Sequence, residues 1–426
     1  MRRVAVQVVL VLLSTALGVV AAIVATLAVA AVVSTPAAFL SAGLAGAAVT
    51  TYVLVWAVLR RTLRDRAPLY AGAVAVLLVT AVSAAAATTI LRPFPAHLAG
   101  AVPPDVRFWE LPTGSRIAYV QAPAVGQSRP TPVIFLHGGP GTPGEGIPAG
   151  APELAATGFD VYAYDQLGAG RSTRLDDVTG YTVERQVRDL DAIRDVLGAE
   201  QVILVGRSWG GSLAAQYLAA HPDRVAAAVF VAPGAIWGGE HQDGESVGEP
   251  WEGLDAADRQ RHDDLESSPR MAAMALLMAV NPAAAHALVP DREADSWMHE
   301  MALTGRDKTT CDRTSMSAVH DNPQGFYVNQ LTTEDFARIP DPRPALTTVR
   351  VPALILAPQC DYIRWPITRE YRDVLPNATL VDVRGAGHAV SAEQPRLYSQ
   401  LLLTFLRGEP LPLPAYTAAT APSGHR

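Results

Sequence analysis

Cysteine is scarce: Cys311 and Cys360 are the two in 426 residues. That number excludes a disulfide-built scaffold, and no Cys spacing of the metal-binding kind exists. No metal and no other cofactor is expected. Outside the cytoplasm the two are allowed to form one bridge; as buried thiols they would behave as small apolar groups. Internal repeats are absent. Charge is absent from three long stretches, Val4–Val33, Ala37–Leu59 and Leu69–Leu91. Positive charge is also short after them. Residues 1–91 carry +5, which leaves −12 for residues 92–426. An acidic body of that kind argues against nucleic acid as a partner.

Each uncharged stretch exceeds the roughly 20 residues that span a bilayer core. The apolar core of a cleaved signal peptide is shorter, about 7–15 residues. Three transmembrane helices are therefore expected, at 4–33, 37–59 and 69–91, forming a membrane region over residues 1–91. Lipid is then a partner. Arg2 and Arg3 precede the first span, and Arg60, Arg61, Arg64 and Arg66 lie between the second and third. With three spans both basic segments face the cytoplasm, which puts the rest of the chain outside the cell membrane. Two or four spans would invert this.

Residues 92–104 contain four prolines and read as a linker. Short apolar runs then alternate with helical patterns. Strands are expected at Arg107–Leu111, Ile117–Gln121, Val133–Leu136, Val161–Tyr164, Val202–Val205, Val225–Val231, Ala353–Ala357 and Thr379–Val383. Between the fourth and fifth, Val183, Val187, Leu190, Ile193 and Leu197 mark one face of a helix. The alternation predicts an α/β fold, an eight-stranded, mostly parallel sheet with helices on both faces. Its core would comprise residues 105–232 and 347–407. Residues 233–346 hold helical patterns and no clear strand. At over 100 residues they are too long for a loop, so an inserted helical cap is expected. The Pro-, Ala- and Thr-rich tail, 408–426, is expected to be disordered.

Residues 202–214, VILVGRSWGGSLA, join a strand to a helix through Gly206-Arg207-Ser208-Trp209-Gly210. The G-x-S-x-G pattern in that context is a nucleophile elbow. Bulk two residues either side of the serine would collide across so sharp a turn. A serine hydroxyl needs a base. His388, in VDVRGAGHAV after the last strand, is the best candidate, ahead of His137 and His221. Asp361, three residues past ALILA, would hold its tautomer, with Asp382 in reserve. Glycines in IFLHGGPGTPG put backbone N–H groups on the same rim. Gly139 and Trp209 are expected to donate to an oxyanion.

HGGPG (137–141), DQLGAGRS (165–172), GRSWGG (206–211), Asp361 and GAGH (385–388), in that order, closely resemble the prolyl aminopeptidase (proline iminopeptidase) family of α/β-hydrolases. The resemblance covers roughly Asp105 to Arg407. It implies a serine hydrolase with a helical cap that releases N-terminal residues from peptides. It also implies Ser208 as nucleophile, His388 as base, Asp361 as its orienter, and Gly139 with Trp209 as the oxyanion hole. Leu167 stands where the family has the arginine of DQRG, and the family's W-x-x-W-E is reduced to Trp251-Glu252. An aminopeptidase needs acid near the substrate ammonium. Glu240, Asp243, Glu245, Glu249 and Glu252 cluster at the start of the cap, and Glu240, Glu245 and Glu252 are the candidates; such a run is also what a solvated face looks like. Two other readings compete: an esterase or amidase on small non-peptide substrates, and a non-catalytic binding protein.

Overall fold

The computed structural model describes residues 2–96, 100–241, 247–312 and 321–425. Its helices are α1 (Arg2–Ala30), α2 (Pro36–Leu63), α3 (Ala67–Thr88), α4 (Ala151–Ala155), α5 (Val183–Val196), α6 (Trp209–Ala220), α7 (Ala256–Glu266), α8 (Pro269–Val280), α9 (Pro282–Leu288), α10 (Asp291–Thr304), α11 (Phe326–Phe336), α12 (Arg343–Leu346), α13 (Trp365–Val374), α14 (Val390–Glu393) and α15 (Pro395–Leu406). Its strands are β1 (Arg107–Glu110), β2 (Arg116–Ala122), β3 (Val133–Leu136), β4 (Val161–Tyr164), β5 (Val202–Arg207), β6 (Val225–Val231), β7 (Ala353–Pro358) and β8 (Ala378–Val383). The chain forms two compact units. One is Met1–Pro95 with Asp263–Glu293; the other is Ala96–His262 with Ala294–Arg426.

In the first unit α1, α2 and α3 pack through small residues: Ser14, Gly18 and Ala22 on α1, Gly43, Ala47 and Thr51 on α2. Close approach of small residues is how apolar helices associate without water to drive them together. Their outward faces expose Leu12, Leu17, Val24, Val53 and Leu77. By length and composition two segments are apolar enough to cross a membrane, Arg2–Ala30 and Pro36–Thr88, where three spans were expected; the second holds both α2 and α3, which pack against each other. The arginine segment between the second and third stretches is not a loop. α2 runs on through Arg60 and Arg61, and a 3-10 turn over Arg64–Arg66 leads directly into α3.

The second unit carries one eight-stranded sheet in the order β1-β2-β4-β3-β5-β6-β7-β8. β1–β2 and β2–β4 pair antiparallel; every later pair is parallel. On one face Phe135, Val205, Val229, Leu354 and Val381 pack against Leu154, Leu401 and Leu402 of α4 and α15. α5 and α6 cover the opposite face with Leu190, Ile193, Leu213 and Leu218, all fully buried. The alternating apolar runs are thus buried on both sides, as a parallel sheet requires. Loops after β3, β5, β7 and β8 all leave at the same edge.

Two expectations need correcting. The tail from Gly408 is ordered. Ala415 bridges Val381, Tyr416 donates its N–H to the Leu380 carbonyl at 2.7 Å, and His425 meets Asp382 at 2.8 Å. β8 is an edge strand, and its open backbone groups take the tail as a cover. Composition alone favoured disorder because it ignores that edge. The cap is also not one body. Residues 263–293, with α8 and α9, group with the N-terminal helices. α8 is almost uniformly apolar and buries Met271, Met274 and Leu277 there.

Candidate active site

Ser208 follows β5 and caps α6 with φ 53° and ψ −125°. A non-glycine residue with positive φ is strained, and the strain is retained because neighbours over-determine it. Ser208 N–H donates to the Val231 carbonyl at 3.1 Å, while its own carbonyl accepts from Gly211 and Gly234 at 2.8 and 3.0 Å. Glycines flank the turn for a steric reason. A Cβ on Gly206 would lie 2.3 Å from the Gly210 carbonyl oxygen, and one on Gly210 would lie 2.1 Å from that of Leu136. β3 pairs with β5 so that Leu136 faces Gly206, which sets the HGGPG loop beside the turn.

Asp361 and His388 leave β7 and β8 at the same edge. His388 Nδ1 lies 2.9 Å from Asp361 Oδ1, and both side chains are buried. The same carboxylate oxygen accepts the Ile363 N–H at 3.1 Å. With Nδ1–H donating to the carboxylate, Nε2 is left with its lone pair. His137 has no such freedom. Its Nδ1–H donates to the Gly138 carbonyl at 2.8 Å, and its Nε2 accepts the Gln166 N–H at 2.9 Å. Burial holds it down to about 4. Both ring nitrogens are spent, so it serves the loop. Asp382 is likewise engaged, with His425 and with Arg384 at 3.2 Å.

Tyr362 connects the elements. Its ring lies 4.4 Å from the His388 ring, and its phenol sits beside the Ser208 hydroxyl. Burial and then the Asp361 charge push the phenol up, so it is neutral and holds its proton. No motif pointed to Tyr362; adjacency to Asp361 was the one available signal.

The loops carrying Asp361 and His388 are strapped from the cap side. Cys360, next to Asp361, is disulfide-bonded to Cys311. Glu393 accepts the N–H of Gly387 at 2.6 Å through one oxygen, and those of Cys311 and Asp312 at 2.7 and 2.9 Å through the other. Ala389 N–H donates to the Thr309 carbonyl, and Cys360 N–H to that of Ala386, both at 2.9 Å. One short segment, 309–312, thereby fixes both loops. A carboxylate gathering several backbone N–H groups is a strong, charge-assisted clasp.

Among the described residues, neither the Gly139 nor the Trp209 N–H donates to a protein acceptor. Trp209 starts α6, where the helix N-terminus favours negative charge. Gln166 ties this rim together. It accepts Trp209 Nε1–H at 2.9 Å and donates its amide to the His137 carbonyl at 2.9 Å. Gln166 thus joins the three glycine-bearing motifs, and its place in DQLGAGRS was the signal. Leu167 beside it is fully buried, a packing residue.

The candidate amine-binding acids separate. Glu240 is paired with Arg343, and Glu252 with Arg364 at 2.9 Å. Glu245, with Asp243, lies outside the described residues. Glu249 has no ion pair among the described residues. It lies close enough to Tyr362 for its charge to push that phenol up. The segment before it is pressed onto the same residue: a Cβ on Gly248 would fall 2.0 Å from the Tyr362 carbonyl oxygen.

A cavity of about 220 Å³ beside the elbow is lined by Arg207, His137, Asp165 and Tyr398, and Ser208 does not line it. Burial raises the Asp165 carboxyl to about 6 from 3.8, against hydrogen bonds from Arg171 N–H and the Asn322 amide. The two buried groups here oppose each other in pH. His137 stays neutral when folded, so its contribution is complete above pH 6.5 and is lost as pH falls toward 4. Asp165 holds a proton that the unfolded chain releases above 3.8, so its contribution grows as pH falls through 6. Asp165→Asn removes only the second effect. Guanidinium midpoints between pH about 6.5 and about 4 are expected to drop more for the variant than for the wild type. Parallel curves would show that Asp165 does not titrate in this window.

Residues 131–395 match the α/β hydrolase fold family. A proline iminopeptidase of Heyndrickxia coagulans is 39% identical over 121 residues, covering 28% of this chain and 41% of that protein. One from Lactiplantibacillus plantarum is 44% identical over 92 residues, covering 21% and 32%. The chain thus matches less than half the length of these relatives. An esterase from Exiguobacterium antarcticum superposes with a TM-score of 0.50 at 17% identity, over 70% of this chain and 98% of its own, a likeness of fold alone. With the family match spanning more than half its length, the chain belongs to the α/β hydrolase fold family.

Proposed function

We propose that the protein is a membrane-anchored serine aminopeptidase that releases N-terminal residues from short peptides on the outer side of the cell membrane. The observation that carries this reading is the buried pair of His388 and Asp361 behind a serine held at φ 53°. His388 Nε2 takes the proton as Ser208 Oγ attacks the acyl carbon. The N–H groups of Gly139 and Trp209 take up the developing oxyanion. His388 then returns the proton to the leaving amine, and an acyl-enzyme remains. Water, activated by the same histidine, releases the N-terminal residue.

Glu249 is the carboxylate for the substrate ammonium, since Glu240 and Glu252 already serve arginines. The outer placement is supported by the arginines of the N-terminal region and by the Cys311–Cys360 bridge, a bond that persists in oxidising compartments.

The discriminating experiment pairs free aminoacyl arylamides with their N-acetylated forms. The free series is expected to be strongly preferred. Glu249→Gln should raise KM for that series about 10–100-fold, the worth of one charge-assisted hydrogen bond, without changing the blocked series. Equal rates for both series, with a better rate on simple esters, would move the protein to the esterase class and sink amine recognition.

A further inference from the structure

Helix α8, PRMAAMALLMAV, has its polarity the wrong way round for a helix in water. Its one charged side chain points inward. Arg270 is 6% exposed and pairs with Glu293, which is 5% exposed. The guanidinium also donates to the Ile90 carbonyl at 2.7 Å and to the Leu288 carbonyl at 2.8 Å. All three guanidinium nitrogens donate within the protein. The outward face instead shows Ala272, Ala275, Leu276, Ala279 and Val280, with Leu276 53% and Val280 42% exposed. A surface helix in water normally buries its apolar stripe and shows polar residues.

Both ends of α8 are tied to ends of the N-terminal helices. Arg270, in its first turn, binds the carbonyl of Ile90, just past α3. Asn281, which caps its C-terminus, donates to the Ala30 carbonyl, the last residue of α1, at 2.8 Å. A helix of this length spans about 18 Å. It therefore runs across the ends of α1 and α3 rather than alongside them. Glu293 completes the corner by accepting the Phe94 N–H at 2.8 Å.

We propose that α8 is an interfacial helix whose outward face rests in the lipid of the leaflet where α1 and α3 end. Lipid reverses the usual rule: apolar side chains face out, and charge is satisfied inside. The cap of this hydrolase is then part membrane structure. This rests on the membrane reading above.

The full chain in phosphatidylcholine–phosphatidylglycerol vesicles tests it. Leu276→Cys and Val280→Cys are each labelled with an environment-sensitive fluorophore; the native cysteines, being paired, do not react. Leu12→Cys on α1 marks the membrane reading, and Val196→Cys on α5 marks water. Doxyl-labelled lipid is expected to quench positions 276, 280 and 12, and iodide only 196. If 276 and 280 are quenched by iodide as 196 is, while 12 keeps its lipid signature, the α8 proposal falls and the membrane reading stands. If 12 also behaves as 196 does, both fall. Signals at 276 and 280 that respond to neither quencher but self-quench as protein-to-lipid ratio rises would assign the face to a second copy, and the proposal is overturned.

Discussion

Ser208→Ala is expected to lower kcat by about 10⁴–10⁶-fold, with KM little changed and labelling by a fluorophosphonate abolished. The loss falls on chemistry because the hydroxyl is the only group removed. The backbone that positions it is held by main-chain hydrogen bonds with Val231, Gly211 and Gly234, which the substitution leaves in place. Alanine suffers the same strain at φ 53° as serine, so any fall in the thermal midpoint should be confined to the contact that the buried Tyr362 phenol loses with the hydroxyl. Burial of Ser208 also survives, as do the N–H groups of Gly139 and Trp209, which have no protein acceptor among the described residues, so the proposed oxyanion site is left in place. A residual rate above that of water is therefore part of the expectation. Undiminished turnover together with undiminished fluorophosphonate labelling would remove Ser208 from the mechanism, and with it the hydrolase reading.

Asp361→Asn is expected to cost about 10⁴-fold in kcat through tautomer reversal rather than lost contact. In the wild type Nδ1–H of His388 donates to Oδ1 at 2.9 Å. An asparagine turned to satisfy its surroundings offers an N–H there, and the imidazole answers by moving its proton to Nε2. A histidine in that form has nothing with which to accept from Ser208. Asp361 is 4% exposed, and its Oδ2 has no hydrogen-bond partner among the described residues, so no solvent shell relieves the change. Asp382→Asn is the matched control. That residue serves His425 and Arg384, and its replacement should leave kcat unchanged while loosening the tail. Steady-state kinetics on both variants decides the assignment; a collapse with Asp382→Asn and none with Asp361→Asn would reverse it.

Strand placement was legible because period and length act locally: β3, β4 and β6 begin and end where their apolar runs do. The placement of Ser208, Asp361 and His388 at one edge was legible because each follows a strand, and strand ends in a parallel sheet converge. What sequence did not reveal depends on contacts between distant segments. Glu393 reads as one more acid at a helix end until Gly387, Cys311 and Asp312 are seen gathered on it. Tyr362 acquires meaning only from the ring of His388, 26 residues away in the chain. Choosing among the cap acids required knowing where Arg343 and Arg364 lie. The order of the tail depends on β8, an edge strand whose place composition does not encode. α8 carries a local signal, a single charge in twelve residues, that a helical pattern alone does not set apart.

The bridge from Cys311 to Cys360 joins positions 49 apart in sequence. It acts on the unfolded chain as much as on the folded one: a cross-link of that span removes conformational freedom before any strand has paired. The loop that bears Asp361 therefore starts its folding already tethered to the segment that will hold it.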